Sequence, residues 1–314
     1  RADLALVEVV ASVPWHGLAG RRRRNPRKET TMKARQTGTT TEIPAPTASV
    51  KVSDKDELDV WVVGEGTPVV LVHGALLWYF LKPLAEELAK KGDYQAIWYH
   101  RRGYNGKPTE PPVAVTDQAR DVVKILDELK VSRAHVVGHS AGGTYTMELA
   151  IQAEDRLLSA GLLDWFFLNQ IESGKMIMEQ LRPSIEKAQT GDFEGAAVDF
   201  LASLGCTKEL MDRTLPGSWS DMLEDAPTWF QVEAPAGGQW APDPAKVRAI
   251  EVPVGLMSVT ELPPYRETAE LLRKWLPNFR MLEISADNHF FPVTATEETA
   301  AVLDNWFKSQ GSTN

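Results

Sequence analysis

The feature that most constrains the fold of this chain is a serine between glycines, in the segment Gly138-His139-Ser140-Ala141-Gly142. The preceding apolar run 134–137 predicts a buried strand, and residues 141–152 contain no proline and predict a helix. A serine between a strand and a helix lies on a sharp turn, from which its hydroxyl can attack a carbonyl carbon. Glycine is needed on both sides because a Cβ would crowd the strand against the helix. The segment and its context therefore predict a serine nucleophile.

Composition places the chain among ordinary globular proteins. Its 314 residues are 43% hydrophobic and 25% charged, which is enough for one large α/β domain with an insertion. No apolar run approaches the roughly 20 residues needed to cross a bilayer, so we expect no membrane association. The single cysteine, Cys206, excludes an internal disulfide and a cysteine-based metal cluster. It fits a reducing compartment, and we expect a cytoplasmic protein.

Charge is distributed unevenly along the chain. Residues 1–50 contain nine Arg and Lys against four Asp and Glu, whereas the formal net charge of the whole chain is −9. Because an acidic body is a poor binder of nucleic acid, we expect no nucleic-acid partner. Residues 1–45 predict a flexible basic tail. Its arginines at 21–24 follow an apolar stretch, whereas an export signal has its positive charges first.

From residue 46 onward, short apolar runs alternate with helical patterns. This alternation predicts an α/β fold with a doubly wound, mostly parallel sheet. The predicted strands are residues 50–52, 58–63, 68–72, 95–99, 135–138, 158–163, 252–257 and 280–284. The predicted helices of this part are residues 77–90, 117–129, 141–152 and 297–308.

One long segment interrupts the alternation. Residues 165–246 have helical patterns without a convincing strand, and a predicted strand stands on each side of them. We predict a helical cap inserted after strand six, over the carboxyl ends of the strands, with 46–164 and 247–314 as the core. Most aromatic residues of this segment are expected to form the cap's own interior. Trp165 and Phe166 directly follow a strand end, so we expect them to line an apolar pocket.

The order and spacing of several motifs resemble the α/β-hydrolase superfamily over nearly all of residues 50–310. These motifs are the turn His73-Gly74, the loop 99–104, the Ser140 turn and the late pair Asn288-His289. The chain departs from the family pattern at His100, where many members have aspartate, and at residues 105–107, which replace a common Gly-x-Ser. The resemblance implies the chain order serine, acid, histidine, and a reaction that needs neither a metal nor an organic cofactor.

A neutral serine hydroxyl needs a base to remove its proton and an acid to orient that base. Of the six histidines, only His289 follows Ser140, and it lies in the loop after the last predicted strand. We therefore predict His289 as the base. His73 and His139 are expected to support the turns beside the serine and not to bind a metal, since a zinc site needs a third ligand.

The acid has two candidates. Most members of the superfamily carry it after the seventh strand, near the end of a pattern such as P-V-L-V-x-x-G-E-x-D-P. Placing Pro253 and Pro263 on the two prolines puts Leu262 at the aspartate position and leaves Glu261 one residue out of register. Asp164 instead follows the strand 158–163, a position that some members use. We favour Asp164 over Glu261, and a surface or hinge role for both remains open.

The resemblance also implies an oxyanion hole, formed by the backbone N–H groups of Ala75 and Ala141, with Gly74 beside the substrate. It implies hydrolysis of a small-molecule carboxylic ester or lactone through an acyl-enzyme. The aromatic residues of the predicted cap favour substrates with bulky apolar or aromatic groups. Epoxide hydrolases and haloalkane dehalogenases carry aspartate where this chain has Ser140. Hydrolysis of a thioester, an amide or a carbon–carbon bond, or ligand binding with little turnover, remains an alternative. The oligomeric state stays open, with a homodimer as one option.

Overall fold

The fold is built on one eight-stranded sheet. The computed structural model describes residues 41–259 and 262–310. The strand order is β1-β2-β4-β3-β5-β6-β7-β8. β2 pairs antiparallel with β1 and β4, and the remaining neighbours pair parallel, which confirms the predicted mostly parallel sheet. The strands are β1 Ala48–Lys51, β2 Glu57–Val63, β3 Thr67–Val72, β4 Tyr94–Tyr99, β5 Ala134–His139, β6 Leu157–Leu163, β7 Val254–Met257 and β8 Phe279–Leu282.

Helices follow the strands in the order expected of an α/β chain. Before β6 stand α1 Lys82–Lys90, α2 Val115–Glu128 and α3 Ala141–Gln152. Between β6 and β7 stand α4 Gly174–Gln189, α5 Phe193–Ser203, α6 Lys208–Thr214, α7 Ser218–Glu224, α8 Ala226–Thr228, a π-helical segment Trp229–Glu233, α9 Ala234–Gln239 and α10 Pro244–Arg248. After β7 come α11 Pro263–Trp275, α12 Phe291–Thr294 and α13 Thr296–Ser309.

The core lies on both faces of the sheet. Successive residues of β3 point to opposite faces, so Leu71 packs with α1 and α13 while Val70 packs with α2, α3 and α11. The last four residues of β3, Val69 to Val72, are each at most 1% exposed. A parallel strand that is covered on both faces has no side exposed to solvent, and its sequence is therefore a continuous apolar run.

The first predicted helix is wrong at its beginning. The apolar pattern predicts a start at Leu77, but α1 begins at Lys82 and the preceding residues form turns. Leu76 has φ 68°, which a helix does not allow, and Leu77 N–H bonds the Ala75 carbonyl at 2.9 Å. Residues 76–81 are nevertheless all buried. Their apolar character therefore reflects a buried loop, which the sequence pattern does not distinguish from a helix.

The division into tail, core and cap stays a prediction, although its elements can be described. Of the predicted tail 1–45, only residues 41–45 lie within the described residues, and Thr41 donates from its N–H and hydroxyl to the Pro216 carbonyl at 2.7 and 3.0 Å. In the described residues between β6 and β7 there is no strand, in line with the predicted insertion. None of the described helices combines the length and the apolar character that crossing a membrane requires.

Candidate active site

Ser140 lies on a sharp turn between β5 and α3. Its backbone has φ 51° and ψ −124°, a strained combination for a residue with a side chain. The turn is held in place because Ser140 N–H donates to the Leu163 carbonyl at 2.9 Å. A Cβ at Gly142 would lie 2.1 Å from the Val72 carbonyl oxygen, and a Cβ at Gly138 would lie 2.3 Å from the Gly142 carbonyl oxygen. Close backbone approach therefore requires both glycines.

Asp164 and His289 meet beside this turn. Nδ1 of His289, in the loop before α12, lies 2.6 Å from Oδ2 of Asp164. Asp164 directly follows β6 and is 1% exposed, and its Oδ1 accepts the Ser258 hydroxyl at 3.0 Å and the Val259 N–H at 3.3 Å. Burial acts to raise the pKa of Asp164, but the hydrogen bond and charge of His289 outweigh it and lower the pKa. The carboxylate therefore stays ionised.

The structure brings three of the predicted site residues together. Ser140, Asp164 and His289 line one cavity. Because Nδ1 of His289 faces the Asp164 carboxylate, Nε2 is the ring nitrogen left to exchange a proton. A serine, an imidazole and a buried carboxylate are the groups that serine catalysis requires. The alternative acid, Glu261, lies outside the described residues.

His139, the residue before Ser140, supports the loop that carries His289. Its ring stacks on Phe80 at 4.8 Å, and its Nε2 lies 2.9 Å from the His289 carbonyl oxygen. Burial, aided by the neighbouring His289, lowers the pKa of His139 to about 3. The ring is therefore neutral and donates Nε2–H to that carbonyl. Within the described part of the chain, no three His, Cys, Asp or Glu side chains converge to hold a metal ion.

Of the two predicted oxyanion donors, Ala141 directly follows Ser140 in the chain, and Ala75 directly follows Gly74. Ala141 is the first residue of α3, where a backbone N–H has no acceptor within its own helix, and it lines the cavity with Ser140. Gly74 lies against the turn, since a Cβ built on it would be 3.3 Å from the Ser140 Cβ. Neither Gly74 nor Ala75 is one of the described residues that line the cavity.

The cavity has a volume of about 640 Å³ and is lined by Ser140 together with residues of the helices between β6 and β7. The predicted pocket residues Trp165 and Phe166 both lie on its wall. Trp165 is fixed because its indole N–H donates to the Thr144 hydroxyl at 3.1 Å, and its ring packs on Gly143 of α3. The aromatic residues of the wall are Tyr145, Trp165, Phe166, Phe200, Trp229, Phe230, Trp240 and Tyr265.

Two polar residues of the site, Tyr265 and Glu233, were not predicted from the sequence. Tyr265 of α11 is 8% exposed and hydrogen-bonds the Asp164 carboxylate; burial and then that carboxylate raise the pKa of its phenol. Glu233, at the end of the π-helical segment, is fully buried on the cavity wall and pairs with Arg101. Only Tyr265 had a sequence signal, because it follows the loop in which most family members carry the acid.

One family model and several curated proteins match parts of the chain. The model of the alpha/beta hydrolase family matches residues 69–302. A putative carbamate hydrolase, RutD, of Azorhizobium caulinodans is 36% identical over 106 residues, which is 32% of this chain and 38% of that protein. Esterase YbfF of Escherichia coli is 34% identical over 92 residues, 29% of this chain and 35% of that protein. The chain thus spans well under half the length of the curated relatives that it matches.

Solved structures cover more of the chain at lower identity. An enol-lactonase from Burkholderia xenovorans LB400 superposes with a TM-score of 0.66 at 20% identity, covering 83% of this chain and 99% of that one. A thermophilic esterase from Thermogutta terrifontis gives a TM-score of 0.68 at 20% identity, covering 84% and 99%. At this identity the likeness concerns the fold alone.

Proposed function

The chain belongs to the alpha/beta hydrolase family, and we propose that it is a serine hydrolase that cleaves carboxylic esters or lactones bearing bulky apolar groups. One observation carries the proposal. Asp164 and His289 are joined by a 2.6 Å hydrogen bond and share a cavity wall with Ser140 on its strained turn. Strain of this kind persists where surrounding structure enforces it, and it is frequent at active sites.

In the proposed cycle, Nε2 of His289 removes the proton of Ser140, whose Oγ attacks the carbonyl carbon of the ester. Asp164 holds the ring in the tautomer with a proton on Nδ1 and stabilises the imidazolium that forms. The N–H groups of Ala141 and Ala75 stabilise the tetrahedral oxyanion. The imidazolium protonates the leaving alcohol, and water activated by the same ring then hydrolyses the acyl-enzyme.

The cavity wall supports an uncharged, apolar substrate. Beside its aromatic residues, the wall carries the carboxylates of Glu179, Glu186 and Asp287. The one cation among the described lining residues is Arg182, and its guanidinium already pairs with Glu179. The carboxylates of the wall would repel a substrate that itself carries a carboxylate, and Arg182 is already paired and does not offset this repulsion. We therefore propose neutral esters or lactones as the substrate class.

A labelling experiment tests the chemistry. We expect a fluorophosphonate probe to label the wild-type protein on Ser140, and the Ser140→Ala variant to lose both labelling and ester hydrolysis. A folded wild-type protein that is neither labelled nor active on any ester, thioester or amide would contradict the proposal and favour ligand binding without turnover.

A substrate panel tests the class. We expect nitrophenyl hexanoate and nitrophenyl benzoate to be cleaved with a higher kcat/KM than nitrophenyl acetate, because the longer groups bury more apolar surface. Nitrophenyl adipate, which adds a carboxylate at the far end of a six-carbon acyl group, should react at least ten-fold more slowly than the hexanoate. Activity on acetate alone, or equal rates for the hexanoate and adipate, would contradict the proposed class.

A further inference from the structure

A buried ion pair joins Glu233, which lies on the cavity wall, to Arg101, which is not among the described lining residues. Nε and Nη2 of Arg101 donate to the two carboxylate oxygens of Glu233 at 2.6 and 2.8 Å. Arg101 is 1% exposed and Glu233 is fully buried. Removing two charges from water has a large free-energy cost, and well-packed apolar side chains often replace such pairs without loss of stability. A contribution to stability is therefore a weak explanation for this pair.

The guanidinium also holds the loop that carries the proposed oxyanion donor. Nη1 of Arg101 donates to the His73 carbonyl, and Nη2 donates to the Gly74 carbonyl at 2.9 Å. The Gly74 carbonyl oxygen lies in addition 2.7 Å from Nδ1 of His73. Because a trans peptide is planar, fixing the direction of the Gly74 carbonyl also fixes the opposite direction of the Ala75 N–H.

Glu233 connects this loop to the inserted helices. It ends the π-helical segment, lines the cavity, and accepts the Tyr104 hydroxyl at 2.7 Å. Tyr145 of α3 also hydrogen-bonds Glu233, and its ring lies under the guanidinium, 4.8 Å from the Arg101 Cζ. The carboxylate therefore has a partner for each of its oxygens, and the guanidinium has limited freedom to leave the two carbonyls.

We propose that Arg101 is a positioning residue for the oxyanion hole, and that Glu233 holds it in place from the inserted helices. Arg101 sets the orientation of the 74–75 peptide and so aims the Ala75 N–H at the oxyanion that forms on the substrate. This inference rests on the proposed hydrolase function. It gives the inserted segment a role in transition-state stabilisation as well as in substrate binding.

The test is the double variant Arg101→Gln/Glu233→Gln, which removes both charges and leaves neither one buried without a partner. Loss of an oxyanion donor typically lowers kcat about 10²- to 10³-fold, so a misaligned donor should lower kcat about 10- to 100-fold. KM for nitrophenyl hexanoate should change less than about three-fold, since the oxyanion exists only in the transition state. Affinity for a trifluoromethyl ketone, which forms an oxyanion on the serine, should fall in parallel with kcat/KM.

A matched control comes from the adjacent residue of the same loop. Arg102 pairs with Asp121 through two 2.7 Å bonds, and neither residue contacts the carbonyls at 73 and 74. The double variant Arg102→Gln/Asp121→Asn should therefore keep kcat within about three-fold of wild type, whatever its effect on stability. An equal fall of kcat in both double variants would assign the effect to general loosening of the loop and overturn the proposal.

The single variant Arg101→Lys serves if the double variant does not fold. Lysine keeps the charge, but its ammonium does not reproduce the planar fork that serves Glu233 and both carbonyls together. We expect at least a five-fold lower kcat, and wild-type kcat in either variant would overturn the inference while leaving the proposed function intact. A wild-type protein that hydrolyses none of the esters would instead remove both.

Discussion

At the scale of single residues, the position of Asp164 decides how the proposed site works. Its carboxylate contacts His289 through one oxygen and Ser258 through the other, and the residue itself has φ 44°, in the left-handed region. A side chain rarely adopts that backbone conformation without an enforcing environment. Here the environment is a backbone bond from Asp164 N–H to the Met257 carbonyl at 2.7 Å, which ties the turn after β6 to β7.

We predict that Asp164→Asn lowers kcat about 10³- to 10⁴-fold, because an amide in this position favours the wrong tautomer of the histidine. Steady-state hydrolysis of nitrophenyl hexanoate measures the loss. Ser258→Ala is the control, since it removes only the 3.0 Å bond to the other carboxylate oxygen, and kcat should fall less than ten-fold. A larger loss for Glu261→Gln than for Asp164→Asn would assign the acid to Glu261.

The site residues that could be predicted from the sequence are those that belong to a motif or stand in a characteristic order along the chain. The turn motif predicted Ser140, and His289 was predicted because it is the only histidine after Ser140 in the sequence. Asp164 was favoured as the acid because Leu262 occupies the position at which most family members have aspartate. The structure places these three predicted residues on one cavity, although their catalytic roles stay a proposal. Glu233 was beyond prediction because its partner Arg101 is 132 residues away in the chain, and no local pattern encodes such a pair.

At the scale of elements, the turn around Ser140 depends on how closely α3 approaches β3. The Val72 carbonyl faces Gly142 so closely that an added Cβ would lie 2.1 Å from it. This contact joins two backbones, so neither a rotamer change nor the movement of a flexible side chain relieves it. The strand order β3-β5 and the helix that follows β5 produce the contact together.

We predict that Gly142→Ala destabilises the protein by about 3 kcal/mol or more, at or above the upper end of overpacking costs in a rigid core. Urea unfolding followed by tryptophan fluorescence measures the change. The control is Gly237→Ala in α9, where an added Cβ has nothing within 4 Å and helix propensity favours alanine by up to about 1 kcal/mol. Equal stability of Gly142→Ala and wild type would contradict the close backbone approach of α3 to β3.

Strands were predicted better than loops because burial on both faces leaves a simple apolar signature. β5, β6 and α3 begin and end within one residue of the predicted limits. The buried loop 76–81 carries the same signature without being a helix, since its apolar side chains fill the space beside the Ser140 turn. Periodicity reports which residues are buried, and it does not report the backbone that buries them.

At the scale of the whole molecule, the cavity joins parts of the chain that sequence analysis treats separately. Its wall includes Ser140 from the sheet end, Phe200 from α5 and Tyr265 from α11. The sequence predicted an apolar pocket lined by Trp165 and Phe166, and it assigned most other aromatic residues between 165 and 246 to the interior of the cap. Which of them face the cavity depends on packing between helices, so Phe167 is fully buried against Trp240 while its neighbour Phe166 lies on the wall.

Buried neutral histidines make the stability of the whole fold depend on pH. Four of them, His73, His100, His135 and His139, are at most 5% exposed, and burial is the largest cause that lowers the pKa of each. In the unfolded chain these rings bind protons below about pH 6.5, whereas in the folded protein they bind them only at lower pH. The stability that the neutral rings contribute is therefore complete above about pH 6.5, the pKa of the unfolded chain, and it is lost as the pH falls toward the pKa of the folded protein.

His135 allows this linkage to be tested away from the proposed active site. Its pKa is lowered to about 4 by burial and then by the charge of Arg133, and its ring lies between the Ser159 hydroxyl at 2.7 Å and Phe307. Between pH 7 and pH 5 a single such histidine should remove about 2 kcal/mol of the free energy of unfolding. We expect wild-type stability, measured by urea unfolding, to fall over this range by at least that amount, and the fall to be about 2 kcal/mol smaller in His135→Gln. Equal slopes for the two proteins would mean that His135 is protonated in the folded state, and its stacked, buried position would then need another explanation.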